Sequence, residues 1–555
     1  MREAAVKRRT SLRRALLVGA HVYAALILLL FALSKAEAYR AGIGAALEAL
    51  LVIGLLTGYG RGGWREIVRK KNLLPACVPA LGLFYPLSLY LGERLLVPTL
   101  MLLSLPVFSL LVYAVRRFIR ALAEEDSPLF VHAGETALSP RRTALLCGCF
   151  ALTLLLVFHR TEFFPYGMTA DSYNQWMQIH GQIPYSDIHS IGHTLLLALL
   201  LRVRDSFTFV VVLQLVLTAL VFALFFRAAA KRGAHACFLM LLAAVFLTPV
   251  APIDVLCYPL KDVPYTLCVI LLTGLLMRYV QQQRFPVWEA LLFGALLALV
   301  YEFRKNGVVL LLVLSLSYTV SSLRKRAWKQ LAAFGLSVAV VLGGIHWVAY
   351  DVLKTESPEN GWGVQVFATG LVAAAKDGKA TPEEREAIAA LLPLDWAESA
   401  YKPWYLNDML WWGDGDTRIE QDPSLAVFNN GLVLAMCEHR AEIVKLYVRL
   451  LPRHALAYIK NILYSTHMIW GIQPTQCLPM SNVFLLLWLY LLVDERWSAE
   501  RKKRGWPVFL PMLLNLVSIA ISTVTNELRY LLPTTLLCPL LTLYIILNGR
   551  RESLS

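Results

Sequence analysis

Apolar stretches of about 17 to 23 residues, set apart by short runs of charge, recur along almost the whole chain. That is the length a helix needs to cross a hydrocarbon core. Inside such a core each backbone N–H and C=O has to be satisfied within its own segment, so the stretches are predicted to be helices. Composition points the same way: 16% of the 555 residues are charged and 57% are hydrophobic. Soluble domains run near 25% charged. The expected fold class is an all-α polytopic membrane protein.

The formal net charge of +15 would suggest nucleic acid in a soluble protein. Here the basic residues flank apolar segments, at Arg8, Arg9, Arg13 and Arg14, at Arg116, Arg117 and Arg120, at Lys231 with Arg232, at Arg324 to Arg326 and at Arg501 to Arg504. Such runs mark cytoplasmic connections and contacts to anionic headgroups. No basic patch interleaved with aromatics is present, and no nucleic-acid partner is expected. The nine cysteines follow no metal-ligand spacing; Cys257, Cys437 and Cys477 are expected outside, without a spacing that supports a disulfide. The apolar run from Ala15 to Leu33 is longer than a signal-peptide core and reads as a retained signal anchor.

Spans are expected at 15–33, 41–59, 73–92, 95–115, 143–159, 207–227, 234–250, 263–280, 286–301, 307–322, 328–350, 478–493, 507–524 and 530–547. With the basic N-terminus inside, this threading keeps the basic runs inside and puts both termini in the cytoplasm of a plasma-membrane protein. The segment from His193 to Val203 is too short to span and is expected to lie in the outer interface. The chain divides into an N-terminal region (1–142), a first part of the core (143–350) with an outer loop at 160–206, an external domain (351–480) and C-terminal spans (481–555). In the external domain a helical stretch is expected at 376–390, starting near Thr381-Pro382-Glu383. Residues 441–462 read as an interfacial amphipathic helix. Trp362, Trp396, Trp404, Trp411, Trp412 and Trp470 suit a headgroup layer or a sugar-stacking surface.

Four polar clusters fall on the outer side. The first holds Asp171 and Asp187, sixteen residues apart, with Gln175, Tyr185, His189 and His193 around them. Asp171 reads equally as a helix N-cap and as a catalytic carboxylate. The second is Lys261-Asp262 at the mouth of a span, a phosphate-binding pair or ordinary headgroup-level residues. The third is Glu302, Arg304, Lys305 and Asn306 between two short spans; two cations in so short an outer loop favour an anionic ligand over a headgroup contact. The fourth is Glu527, Arg529 and Tyr530, a phosphate fork or a structural ion pair. Together they outline a cavity with cations for a lipid phosphate and a carboxylate to serve as base. The chain has no phosphate loop, no nucleophile elbow and no zinc motif.

On Asp171-Ser-Tyr-Asn-Gln-Trp, Tyr185-Ser-Asp187-Ile-His189-Ser, Lys261-Asp262, Arg304-Lys305-Asn306-Gly307 and Glu527-Leu-Arg529-Tyr530, the chain resembles the GT-C superfamily of polytopic glycosyltransferases over about 143–547. That superfamily includes the protein O-mannosyltransferases and the aminoarabinose transferases of lipid A; the chain looks closest to a bacterial branch. The resemblance implies a GT-C-like helix bundle with juxtamembrane helices in the first large outer loop. It implies transfer of a sugar from a polyprenyl-phosphate donor to an envelope acceptor (glycan, lipid or protein) on the outer face of the membrane. Asp171 would be the base or acceptor-orienting residue. Asp187 would support the site or a divalent cation, Mg or Mn, the one cofactor the resemblance admits. Lys261, Arg304, Lys305 and Arg529 would hold the phosphate. The chain departs from the pattern in having Ser190-Ile-Gly-His where a proline-rich stretch is usual, and in the region 351–480, which has no counterpart. A transporter or flippase of lipid-linked sugars and a non-catalytic envelope assembly protein are the alternatives. No internal repeat of the kind transporters carry is visible.

Overall fold

The computed structural model describes residues 71–80, most of 105–120, 139–161, 164–165, 167–234, 255–357, 361–376, 379–402, 430–466, 482–522 and 528–549, with isolated positions between. Among them the chain is predominantly helical with no strand, and an isolated bridge joins Ser186 and Glu356. Among the described residues seven helices are long and apolar enough to cross a membrane: Arg141–Arg160, Phe207–Ala230, Asp262–Gln282, Lys305–Arg324, Trp328–Val352, Ala499–Ser522 and Arg529–Asn548. The protein is an all-α membrane protein. The spans expected at 15–33 and 41–59, and nearly all of 234–250, lie outside the described residues.

The helices used below are α1 (Pro140–Arg160), α2 (Ala170–Ile179), α3 (Ile191–Val203), α4 (Phe207–Ala230), α5 (Asp262–Gln282), α6 (Val287–Phe303), α7 (Val308–Arg324), α8 (Trp328–His346), α9 (Gln365–Lys376), α10 (Pro382–Ala389), α11 (Leu394–Ala400), α12 (Gly431–Glu438), α13 (Arg440–Ser465), α14 (Asn482–Arg496), α15 (Ala499–Gly505), α16 (Leu510–Ser522) and α17 (Leu532–Gly549). α5 is central, packed against α4, α6, α16 and α17. It begins with Asp262, whose carboxylate complements the positive end of the helix dipole, and ends on Gln283, which takes the left-handed conformation at φ 58°. α6 lies between α5, α7 and α8. Its Gly294 leaves no room for a side chain, since a Cβ there would come within 2.6 Å of the Phe334 carbonyl oxygen on α8.

Burial separates the spans by position in the bundle. The window of Arg529–Asn548 is 94% buried, whereas those of Arg141–Arg160 and Trp328–Val352 are 17% buried. The outer faces of α1 and α8 expose Leu145, Leu152, Leu156, Leu336 and Val340. Each such side chain left in water would forgo about 1.5–3 kcal/mol of burial. In lipid that penalty vanishes, so these faces belong against acyl chains. The expected 328–350 span runs on through a π-helical turn, Trp347–Val352, which carries Tyr350.

The short helix expected from His193 forms as α3, thirteen residues from Ile191. The region 351–480 closes a core of its own, with Ala368, Leu371, Leu406, Leu446 and Tyr458 in its interior. Within it the helical stretch expected at 376–390 forms as α10 from Pro382, after α9 has ended at Lys376. The predicted start is correct: Thr381 accepts from Glu384 N, and the Glu384 side chain returns to Thr381 N, a full capping box. The amphipathic helix expected at 441–462 forms as α13. Its apolar stripe (Ile443, Leu446, Tyr447, Leu450, Tyr458) packs against protein, chiefly α9, instead of lipid, because Gly370 lets the Tyr447–Tyr458 ring stack approach closely. A second row, Val448, Leu456 and Ile459, remains exposed. Trp404, Trp411, Trp412 and Trp470 lie outside the described residues.

Two polar clusters sit at opposite ends of the bundle. α5 runs from Lys261 and Asp262, next to Asp171 and Arg304, to Gln281, which accepts from Arg232. α17 runs from the neighbourhood of Arg529 to Asn548, whose carbonyl accepts from Arg501. The runs threaded to one side as cytoplasmic therefore meet one another: Arg116 reaches Asp494 and Glu495, and Lys502 reaches Asp494.

Candidate functional site

The first end is built around Asp171. α2 is capped by Thr169, whose hydroxyl accepts from Ser172 N at 3.2 Å. This corrects the capping alternative for Asp171: a residue two positions earlier does that work, so the Asp171 carboxylate in the first turn is released for other contacts. Lys261 Nζ stands 3.0 Å and Arg529 Nη1 3.1 Å from the same oxygen, Oδ2. Ser172 donates to the Pro259 carbonyl at 3.1 Å and so docks α2 on the turn that presents Lys261. All three charged side chains are 17–18% exposed, at a mouth that is largely desolvated yet open. Burial by itself raises the Asp171 carboxyl, but the Lys261 ammonium and Arg529 guanidinium outweigh it and hold the group well below the usual carboxylate range.

Two histidines line the same wall. Lys261 Nζ lies 3.5 Å from His189 Nδ1, and burial, then the Lys261 charge, pushes His189 down to about 4. His193 is buried; Gln175 Nε2 donates to Thr194 at 2.9 Å, so Gln175 Oε1 is left to accept from His193 Nδ1 at 2.9 Å. Burial pushes His193 down to about 3. Both rings are neutral at pH 7, and the cationic character of the mouth comes from Lys261 and Arg529.

Arg304 stands behind this mouth. It is buried, paired with Asp262, and its guanidinium lies over the rings of Tyr530 at 4.4 Å and Tyr265 at 5.5 Å. Tyr530 has Arg529 on it as well, at 5.4 Å. Tyr265 donates to Asn515 Oδ1 at 2.8 Å, and Asn515 Nδ2 donates to the Tyr530 carbonyl at 3.4 Å, so α16 braces the turn that carries Arg529. Asn306 is held from the same side, its carbonyl accepting from Ser518 at 2.8 Å.

Asp187 forms a second carboxylate centre. Its Oδ2 accepts from Tyr350 at 2.9 Å and Ser357 at 3.0 Å and faces Lys305 Nζ at 3.2 Å. Its Oδ1 is buried with no hydrogen-bond partner among the described residues. The Tyr185 carbonyl accepts from Glu356 N at 2.7 Å, and Asp187 N donates to the Glu356 carbonyl at 3.0 Å, which clips this loop to the connection entering the external region. Glu302, buried, pairs with His346 at 3.3 Å.

Of the residues singled out in the sequence, Asp171, Lys261 and Arg529 converge, with His189 beside them. Asp187 and Lys305 pair separately, Arg304 and Asp262 form the support behind, and Glu527 lies outside the described residues. Tyr350, Ser357, Tyr265 and Asn515 were not singled out. They are ordinary residues of spans and turns, and only packing gives them partners. Among the described residues no three His, Cys, Asp or Glu side chains are grouped to hold a metal ion. The residues around Asp187 supply one orphaned oxygen and a competing ammonium, a poor match to a protein-built cation site. No family model matches the chain, and no curated protein or solved structure is similar to it.

Proposed function

We propose that the protein is a GT-C-type glycosyltransferase that moves a sugar from a polyprenyl-phosphate donor to an envelope acceptor at the outer face of the membrane. The observation that supports this reading is the convergence of two cations on the single carboxylate of Asp171. One carboxylate balances one of them, and the surplus positive charge sits in a partly desolvated mouth where a phosphate gains most.

In the proposed reaction the donor phosphate binds to Lys261 and Arg529, with Arg304 fixing the Tyr530 turn from behind. The acceptor hydroxyl oxygen bonds to the anomeric carbon as the bond from that carbon to the phosphate oxygen breaks, and the electron pair leaves on the phosphate. The hydroxyl proton passes to Asp171. The configuration inverts, since one displacement needs one base. Donor binding also prepares that base: as the phosphate takes over the ammonium and guanidinium, Asp171 loses the charges that depress its basicity.

Membranes supplied with labelled lipid-linked sugar test the reading. Asp171→Asn should abolish transfer, and Lys261→Gln or Arg529→Gln should raise the donor KM at least tenfold. Full transfer by Asp171→Asn would overturn it. Movement of the labelled lipid across the bilayer without transfer would point to the flippase instead.

A further inference from the structure

α13 is apolar on two sides. The stripe of Ile443, Leu446, Tyr447, Leu450 and Tyr458 is taken up by the external core, chiefly α9. On the other side Val448, Leu451, Leu456 and Ile459 are 41–57% exposed, although they are as apolar as the buried stripe. An apolar row of this kind beside charged residues marks a surface made for a partner or for a membrane. Which of the two it meets is decided by the charges next to it. The helix carries Arg440, Lys445, Arg449, Arg453 and Lys460 against a single carboxylate, Glu442. Arg453 is held by Glu384 of α10 at 3.1 Å. Lys445, Arg449 and Lys460 have neither a hydrogen-bond nor an ion-pair partner among the described residues, and Lys445 and Arg449 are exposed beside the apolar row.

The end of the helix fixes the level at which it leaves the bundle. α13 ends at Ser465, and Ile469, whose N–H donates to the Thr466 carbonyl at 2.9 Å, packs with Leu516 and Ile519 of α16 and with Leu531. The chain after α13 therefore lies alongside the last turns of a membrane span. A second tie confirms that level: Asn461 donates to Thr369 on α9 at 3.1 Å, and Gln365, one turn earlier on α9, donates to the carbonyl of Ser522, where α16 ends. Standing upright from that boundary, α13 would lift Val448 about 25 Å into water with its apolar neighbours uncovered. Lying along the boundary, the same row meets acyl chains, and the cations at its edge meet headgroup phosphates.

From this geometry we infer that α13 lies on the lipid leaflet at the Asp171 end of the bundle. Val448, Leu451, Leu456 and Ile459 enter the acyl boundary, and Lys445, Arg449 and Lys460 contact anionic headgroup phosphates. The two apolar sides then have two different tasks: one closes the external core, the other seats that core on lipid. The docking is independent of the donor site and holds whether or not Asp171 is catalytic.

The full chain in phosphatidylcholine nanodiscs with one fifth phosphatidylglycerol provides the test. In a cysteine-free background, Val448→Cys, Ile459→Cys and, as a control on the polar helix α10, Glu386→Cys are labelled singly with bimane; all three positions are exposed, so the changes should leave folding intact. Doxyl-labelled lipid in the disc and iodide in the buffer serve as quenchers. Doxyl lipid should quench the labels at Val448 and Ile459 at least threefold more than the one at Glu386, with iodide showing the reverse order. Omitting phosphatidylglycerol, or adding Lys445→Gln with Arg449→Gln, should weaken doxyl quenching at Val448 at least twofold. Labels at Val448 and Ile459 that iodide reaches as easily as Glu386 would overturn the inference. So would labels shielded from both quenchers, since a second copy or another protein would then cover the row. Doxyl quenching indifferent to phosphatidylglycerol and to the double change would overturn the headgroup contacts.

Discussion

Arg304 illustrates how a cation at a helix mouth becomes fixed. Its charge is matched by Asp262 at the start of α5, and its flat faces are covered by Tyr530 and Tyr265. Removing one partner of a buried ion pair leaves the other uncompensated, at a cost of about 3–5 kcal/mol. Asp262→Asn should therefore lower the thermal unfolding midpoint in detergent far more than an exposed charge change would. Adding Arg304→Gln to it should recover part of the loss, since the orphaned charge is then gone. Arg304→Lys keeps the charge but loses the stacked planar group, and should weaken transfer by disturbing the turn that presents Arg529. The histidines set a pH dependence. Folding holds His189 at about 4 and His193 at about 3, against 6.5 when unexposed to these surroundings. The unfolded chain therefore binds protons first on acidification, and the stability these rings contribute is full above pH 6.5 and is lost progressively towards pH 4. Asp171 adds to the loss only at the acid edge of that window and below, where the unfolded carboxyl begins to protonate while the folded one is held well below the usual range. The unfolding midpoint should drop by several degrees between pH 7 and pH 5, and His189→Gln with His193→Gln should flatten that drop. A wild-type midpoint that does not change with pH would contradict it.

Close helix crossings position the site, and Gly192 marks the tightest one near it. A Cβ at Gly192 would lie 2.7 Å from Glu302 Cβ and 2.8 Å from the Glu302 carbonyl, which is backbone and cannot swing aside. Gly192→Ala should push α3 off the end of α6 at a cost of about 1–3 kcal/mol. It should also displace His193 and the Asp187 loop, so transfer should fall more than tenfold while the protein still inserts; unchanged transfer would show that this crossing does not position the site. Elements of this kind were only partly legible in advance. Lengths of apolar sequence identified the spans around 143–159, 207–227, 263–280, 307–322 and 530–547, because a hydrocarbon core imposes length directly. The capping box at Thr381 was legible for the same local reason. Residues 441–462 were read as facing lipid, since an apolar stripe has the same spacing whether lipid or another helix covers it.

Across the whole molecule, the candidate site joins segments that are far apart in the chain. Asp171 and Arg529 are separated by 358 positions, yet share a contact of 3.1 Å. Sequence could gather these residues at one end of the bundle, because span lengths and charge bias alternate the loops between two sides. It could not choose partners within a side: Arg304 was expected on the phosphate and instead backs the site on Asp262, while Lys305 went to Asp187. Those choices depend on helix neighbours, and helix order in a bundle is not written in any one segment. The sorting by side makes a prediction of its own. Asp171, Lys261, Arg529 and the Asp187 loop occupy one end of the bundle, while Arg116, Arg232 and Lys502 occupy the other. From the excess of basic residues at the second end, that end is predicted to face the cytoplasm. Glu356, exposed beside Asp187, and Lys503, exposed on α15, are reporters for the two faces. In intact cells expressing a cysteine-free background, Glu356→Cys should react with a membrane-impermeant maleimide. Lys503→Cys should react only after permeabilisation. The reverse pattern would place the Asp171 mouth in the cytoplasm, where an outer-face acceptor could not reach it, and would refute the proposed transfer even if the helix bundle is right.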